Sequence, residues 1–157
     1  MGEDRYSRFV NQLGPKLYAR LSKKKLKNLD AAYKNALTQL AYESSYGESP
    51  VARKQHNYGG YGWNGKTYTT FANDDAFLDA YVNLLTRRYK DAANSSDLKS
   101  FATNLKKMGY FEDNLDHYYG QLAGMTSMAK AIDSHMAQNP DLYMYARQPI
   151  PTDQSLM

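Results

Sequence analysis

The stretch NLDAAYKNALTQLAYESSYG, residues 28–47, carries the clearest helical pattern in this chain. Its apolar residues recur at the spacing of one face of an α-helix; they are Leu29, Tyr33, Ala36, Leu37 and Leu40. Asn28 is a typical N-cap residue, and Gly47 is a residue type that often ends helices. At about 100° per residue, Glu43 projects about 40° from Leu29. The pattern therefore predicts a carboxyl group at the margin of the buried face.

The segments on either side of this helix indicate the rest of the fold. Residues 4–22 have helical spacing around Pro15, which predicts one bent helix or two short ones. Helical periodicity returns after Asn73 and continues to about Ile132. Between them, residues 50–72 combine four glycines with aromatic residues and threonines, and Asn64-Gly65 is a strong hairpin-turn signal. We expect a mostly helical α+β fold with a small β-hairpin lobe at about 54–72.

Length and composition predict one folded domain with a tail. A chain of 157 residues can bury a single core without disulfides. The segment 136–157 holds three of the five prolines and loses helical periodicity. We therefore expect a catalytic domain over residues 1–135 and an extended C-terminal arm or tail over 136–157.

Several classes of function are disfavoured by residue content. The absence of cysteine excludes thiolate catalysis and cysteine zinc sites. The three histidines are far apart and lack metal-ligand spacing, so we expect neither a metal nor another cofactor. The net charge of +4 favours an anionic partner. Lysine and arginine are scattered over every helix, which disfavours a nucleic-acid-binding face, and no apolar run is long enough to insert in a membrane.

The expected combination of a semi-buried glutamate and an aromatic lobe suits glycosidase chemistry. Burial raises the pKa of a carboxyl group, so that it stays protonated and can donate a proton to a departing glycosidic oxygen. The chain also has 15 tyrosines but only 5 phenylalanines. Tyrosine packs one side of its ring while its hydroxyl meets polar groups, as a carbohydrate site requires.

The stretch ALTQLAYESSYGESPVA, residues 36–52, resembles the AQAALESGWGxSxLA signature of glycoside hydrolase family 73, the bacterial endo-β-N-acetylglucosaminidases and flagellar muramidase-type domains. The residues in matching positions are Gln39, Ala41, Glu43, Ser44, Gly47 and Ser49. Tyr46 stands where the family usually has tryptophan. The resemblance implies a lysozyme-like fold, with Glu43 as the catalytic acid.

Weaker similarities follow in the family's order. The stretch HNYGG, residues 56–60, is similar to the family's NNLFGIK element and retains its asparagine as Asn57. Residues 71–77 resemble the helix start after the lobe, and MGYFED, residues 108–113, resembles the YATDPxY element. The first tyrosine of that element lies near the catalytic glutamate, which implies a catalytic role for Tyr110. The implied substrate is the β-1,4 bond between N-acetylglucosamine and N-acetylmuramic acid.

The predicted lobe has aromatic residues for sugar binding but no acid. We expect Tyr58, Tyr61 and Trp63 to stack on sugars, together with Tyr46, and Asn57 to bind an acetamido group. Between Glu48 and Asp74 there is neither Asp nor Glu. A second carboxylate, which ordinary glycoside hydrolysis requires, would therefore come from outside the lobe.

Three interpretations of the missing carboxylate remain open. The substrate's own acetamido group acts as the nucleophile while Tyr110 steadies the charge; Asp74 or Asp75 reaches in from the edge of the lobe; or the enzyme is a lytic transglycosylase, which needs only one acid/base. A catalytically inactive lysozyme-like module that binds glycan or protein is the alternative function.

The expected place of action is the bacterial periplasm or cell wall. The N-terminal stretch MGEDRYSRFV lacks the apolar core of a secretory signal. Delivery by a phage particle, by lysis or by specialised secretion is therefore expected, unless a signal is missing from this sequence. Peptidoglycan strands are the expected partner, together with an immunity or delivery protein.

Overall fold

The computed structural model describes residues 4–147, and within that range the chain forms nine α-helices. The helices are α1 (Arg5–Ser22), α2 (Leu29–Glu43), α3 (Pro50–Gln55), α4 (Asp74–Arg87), α5 (Lys90–Ala93), α6 (Leu98–Lys107), α7 (Leu115–Ala123), α8 (Thr126–Gln138) and α9 (Pro140–Arg147). The predicted N-cap is confirmed, because the side chain of Asn28 accepts a hydrogen bond from the backbone N–H of Ala31. Asn73 caps α4 in the same way through Ala76.

Helix α1 lies at the centre of the packing and contacts α2, α4, α8 and α9. It is one continuous helix that contains Pro15. Gly14 lets α2 approach closely, since a Cβ atom there would lie 2.5 Å from the hydroxyl oxygen of Tyr33. That hydroxyl is in turn 2.8 Å from the hydroxyl of Tyr143 in α9. The core therefore joins the first, second and last described helices.

The prediction of a β-hairpin lobe is wrong, because no strand is present among residues 4–147. Residues 56–73, here called the lobe loop, form an irregular loop between α3 and α4. The predicted turn does form, since the side chain of Asn64 accepts hydrogen bonds from the backbone N–H groups of Lys66 and Thr67. Gly60 and Gly62, however, have φ angles of +65° and +72°, which turn the chain out of the extended conformation that strand pairing needs.

Two backbone hydrogen bonds cross the lobe loop, and the side chain of Asn57 adds four more. Its Nδ2 donates to the backbone oxygens of Tyr61 and Thr69, at 2.9 Å each. Its Oδ1 accepts from the backbone N–H groups of Gly59 and Tyr61. Asn57 is only 2% exposed. The residue predicted to bind an acetamido group is therefore occupied by the loop's own backbone.

The C-terminal part of the described chain is helical, where the sequence favoured an extended arm from residue 136. Residues 136–138 complete α8, and α9 follows directly. Tyr143 of α9 is buried against Tyr18 and Tyr33, which explains why this segment packs as a helix. Residues 148–157 of the predicted arm lie outside the described residues.

Replacing Asn57 with alanine is expected to lower the free energy of unfolding by about 2–3 kcal/mol, because buried backbone groups lose their partners. Chemical denaturation followed by circular dichroism measures the loss. Asn64→Ala is the matched control: its side chain also accepts two backbone hydrogen bonds, but on the exposed surface. It should cost only about 0.5 kcal/mol. Equal losses for the two variants would contradict the role of Asn57.

Candidate functional site

An open cleft of about 470 Å³ lies against the C-terminal end of α2. Four segments line it: Glu43 at the end of α2; Gly59, Gly60, Tyr61, Gly62 and Tyr68 of the lobe loop; Leu84, Arg88 and Tyr89 at the end of α4; and Tyr110 and Phe111 between α6 and α7. Of these residues, Glu43 is the one with a carboxyl group and Arg88 the one with a fixed positive charge. The predicted acid therefore faces the cleft.

The backbone after Glu43 holds this residue at the end of its helix. Ser45, Tyr46 and Gly47 all have positive φ angles, of +51°, +59° and +78°, so the chain turns sharply away from α2. The buried Ser44 hydroxyl donates to the backbone oxygen of Leu40 and accepts from the N–H of Gly47. Left-handed conformations at two non-glycine residues are strained, and such strain is often found at functional sites.

The environment of Glu43 favours the protonated carboxyl. Burial raises its pKa, and a hydrogen bond from the Tyr118 hydroxyl acts in the opposite direction without cancelling the rise. No Lys, Arg or His of residues 4–147 forms an ion pair with Glu43. The partial negative charge at the end of α2 also disfavours a carboxylate there. Glu43 is thus suited to donate a proton.

A chain of buried hydrogen bonds ends at Glu43. The Tyr81 hydroxyl donates to Oε1 of Gln39 at 2.6 Å, and Nε2 of Gln39 donates to the hydroxyl of Tyr118 at 3.2 Å. The Tyr118 hydroxyl then donates to Oε1 of Glu43 at 2.9 Å. Because Gln39 occupies an acceptor site on the Tyr118 oxygen, the Tyr118 proton points to Glu43. These bonds fix the orientation of the carboxyl group.

Tyr81 and Tyr118 were not predicted as site residues, because both lie on apolar helix faces. Their signal was the residue type: a fully buried tyrosine requires a partner for its hydroxyl, whereas phenylalanine does not. Burial raises the pKa of each phenol far above its ordinary value, so both remain neutral donors.

Tyr110 lies in the cleft wall next to the lobe loop. Its hydroxyl donates to the backbone oxygen of Gly59 at 3.3 Å, and its ring packs edge-on against Tyr89 at 4.9 Å between centroids. Burial, and then the nearby Glu43 carboxyl, raise the pKa of Tyr110 well above the usual range. Tyr110 therefore presents a neutral phenol close to the predicted acid.

The predicted sugar-binding residues are divided between the cleft and other places. Tyr61 lines the cleft. Trp63 is 56% exposed, and its ring lies 4.7 Å from that of Tyr68, which does line the cleft. Tyr58 is buried, and its hydroxyl donates to Asp74. Tyr46 packs edge-on against the ring of Tyr6 and does not line the cleft.

Neither Asp74 nor Asp75 lines the cleft. Asp74 accepts hydrogen bonds from Gln12, Tyr58 and His56, at 3.0, 2.6 and 3.2 Å. Burial would raise its pKa, but these hydrogen bonds outweigh burial and lower it. Asp75 forms ion pairs with two basic residues of α1, Lys16 and Arg20. Asp74 thus connects the start of α4 to α1 and the lobe loop, and Asp75 connects it to α1.

Within residues 4–147, no three His, Asp or Glu side chains converge as a metal site would require. None of the described helices is long and apolar enough to cross a membrane. The described residues of the cleft offer one carboxyl, one guanidinium and several aromatic rings for binding and chemistry.

Comparison with known proteins gives one family and one similar structure. Residues 4–148 match the family described as glucosaminidase, mannosyl-glycoprotein endo-beta-N-acetylglucosaminidase. The fold is similar to the crystal structure of a peptidoglycan hydrolase from Sphingomonas sp. A1, with a TM-score of 0.58 and 18% sequence identity. The similarity covers 94% of this chain and 99% of that one, and at this identity it shows the fold alone. No curated protein matches the sequence.

The Tyr118→Phe variant is expected to raise the pKa of Glu43 further, because it removes the hydrogen bond that stabilises the carboxylate form. It should also cost about 1–2 kcal/mol of folding free energy, since Gln39 loses a buried partner. The pKa is read from a ¹³C NMR titration of labelled glutamate. Tyr119→Phe, one residue further on, is the control and should leave the titration unchanged. An unchanged titration in Tyr118→Phe would contradict the hydrogen-bond chain.

Proposed function

We infer that this chain, which belongs to the glucosaminidase family, is a glycoside hydrolase that cleaves the β-1,4 bond between N-acetylglucosamine and N-acetylmuramic acid in bacterial peptidoglycan. The family predicted from the sequence is confirmed by the match over residues 4–148. The fold shared with a peptidoglycan hydrolase supports the choice of polymer. The place of action that follows is the cell wall or periplasm. The observation that carries the proposal is the half-buried Glu43 carboxyl, in an open cleft and with no basic partner among residues 4–147.

Glu43 acts as the general acid in this mechanism. Its proton passes to the glycosidic oxygen as the bond from that oxygen to C1 of the sugar breaks. The carboxylate that results keeps the hydrogen bond from Tyr118, which limits the cost of leaving a charge in a half-buried place. In the second half of the reaction the same carboxylate takes a proton from the attacking water, so Glu43 returns to its starting state.

The nucleophile in this proposal is the substrate's own 2-acetamido oxygen. An enzyme with two carboxylates requires a second one across the cleft, at a distance of about 5–10 Å. Glu43 is the one carboxyl among the described cleft residues, and the positions of Asp74 and Asp75 favour a structural role for both. The acetamido oxygen attacks C1 to form a cyclic oxazolinium ion, which water then opens. We assign to the neutral phenol of Tyr110, which lines the same cleft, the role of steadying the charge on this ion.

Aromatic rings of the lobe loop form the proposed sugar-binding face. Tyr61 and Tyr68 line the cleft, and Trp63 extends this surface at its rim. An aromatic ring presents a flat apolar face to the C–H groups of a sugar while its polar edge stays hydrated. The exposed Trp63 is the chain's one tryptophan, so its fluorescence reports on this face.

The test is digestion of purified peptidoglycan by the wild type, Glu43→Gln and Glu48→Gln, with mass spectrometry of the fragments. Glu48 is a matched control because it is exposed, pairs with Arg5 and lies outside the cleft. Glu43→Gln should lose about 10²–10⁴-fold in rate, the usual contribution of a general acid. Glu48→Gln should remain as active as the wild type. The expected new end is a reducing N-acetylglucosamine.

Other outcomes of this digestion have definite meanings. A reducing N-acetylmuramic acid end identifies a muramidase, and an anhydro sugar identifies a lytic transglycosylase. Activity that survives in Glu43→Gln would contradict the role of Glu43. A wild type that binds walls of several kinds but cuts none would establish the inactive binding module. Strand binding to Glu43→Gln should shift the emission of Trp63, and unchanged emission at saturation would remove Trp63 from the sugar-binding face.

A further inference from the structure

We propose that Arg88 binds a carboxylate on the lactyl arm of an N-acetylmuramic acid unit when a glycan strand occupies the cleft. This inference rests on the proposed function and adds a specificity residue to it. N-acetylglucosamine is uncharged. N-acetylmuramic acid carries a lactyl arm, whose carboxyl group is either free or linked to a peptide that has carboxylates of its own. A fixed cation in the cleft would distinguish the two sugars.

The Arg88 side chain is held at the cleft wall by contacts of its own. It follows the last residue of α4 and is exposed. Its Nε donates to the Tyr89 hydroxyl at 3.3 Å, and its Nη2 donates to the backbone oxygen of Met108 at 3.5 Å. The guanidinium carbon lies 5.6 Å from the centre of the Tyr89 ring. These contacts orient the guanidinium beside the cleft, and neither partner carries a negative charge.

Most of the binding capacity of this guanidinium is therefore available. Arginine has five N–H donors, and the described contacts use two of them. Among residues 4–147, no carboxylate lies within ion-pair distance of Arg88. The remaining donors are both N–H groups of Nη1 and one of Nη2, and a carboxylate can bridge Nη1 and Nη2 through two parallel hydrogen bonds. Arg88 is thus an oriented, unneutralised cation in the wall of the cleft.

Arg88 is suited to binding, and the shift in the pKa of Glu43 has other causes. It forms no ion pair with Glu43, and the pKa of that carboxyl is raised by burial and lowered by Tyr118 alone. A basic residue at the end of a helix also interacts favourably with the helix dipole, but this applies equally to Arg87. Arg87 is exposed and does not line the cleft. Substitutions at both arginines therefore distinguish the effect of losing one positive charge from the effect of losing a side chain that lines the cleft.

The experiment compares Arg88→Gln, Arg88→Lys and Arg87→Gln with the wild type on three glycan strands. The first strand keeps its peptides. The second is stripped of peptides by an amidase, which frees the lactyl carboxylates. In the third, all carboxyl groups are converted to neutral amides with carbodiimide and methylamine. Thermal unfolding followed by circular dichroism checks that each variant is folded.

Arg88→Gln should raise KM about tenfold on one or both charged strands, with little change in kcat, because a ground-state contact is lost. Arg88→Lys, which keeps the positive charge but loses the paired N–H donors of the guanidinium, should raise KM less. All variants should match the wild type on the amidated strand. A loss confined to the first strand identifies a peptide carboxylate, and a loss on the second identifies the lactyl carboxylate.

Two outcomes would overturn the role of Arg88. One is an equal rise in KM of Arg88→Gln on all three strands. The other is a KM of Arg88→Gln that equals that of Arg87→Gln on each strand. If the wild type cuts no strand, the proposed function fails, and the Arg88 inference is still tested by binding. The emission of Trp63 in Glu43→Gln and in Glu43→Gln/Arg88→Gln then measures affinity, with calorimetry if the emission does not respond. The double variant should bind the charged strands about tenfold more weakly, and equal affinity contradicts the inference.

Discussion

The hydrogen bond from Tyr118 to a half-buried Glu43 is the interaction on which the site depends. Burial alone would leave a carboxyl group protonated but free to rotate, whereas the chain through Gln39 to Tyr81 gives it a fixed direction. The four residues come from α2, α4 and α7. The orientation of the Glu43 carboxyl therefore depends on how these three helices pack. A general acid needs both a raised pKa and a set direction, and the core of this domain supplies both.

The lobe loop reaches a defined shape without a sheet. Its backbone is held from within by one buried asparagine, and positive φ angles at its glycines bring the chain past the cleft. This arrangement places backbone and aromatic rings, rather than a second acid, opposite Glu43. The proposed use of the substrate's acetamido group follows from that composition. The same loop leaves Trp63 exposed at the rim, where a long polymer can reach it.

Local signals predicted the helices and the position of Glu43 at the margin of the buried face, because both depend on short-range spacing. The N-cap at Asn28 and the apolar stripe of α2 were enough to place Glu43 at the margin of the core. The hairpin prediction was wrong for a local reason as well: Asn64-Gly65 does form a turn, but strand pairing also needs extended flanks. Two backbone hydrogen bonds cross the loop, and the side chain of Asn57 satisfies further backbone groups. A side chain can satisfy backbone groups that a neighbouring strand would otherwise pair, and the hydrophobic periodicity of the sequence does not reveal this.

Long-range contacts explain what the sequence did not reveal. Tyr118 is 75 positions from Glu43, and nothing local distinguishes it from other core tyrosines. Asp74 looked available as a second acid, yet three hydrogen bonds from Gln12, Tyr58 and His56 occupy it. Arg88 stood out from the other basic residues only when its position in the cleft was known.

If Glu43 is the general acid, its protonated state, which burial favours, governs catalysis. The most direct measurement combines the NMR titration of Glu43 in the free wild type with the pH dependence of kcat/KM on peptidoglycan, which reports ionisations of the free enzyme. We expect Glu43 to titrate above the ordinary range for glutamate, and activity to fall on the alkaline side at the same pH. A Glu43 that titrates at its ordinary pKa, or an alkaline fall in activity at a different pH, would contradict it.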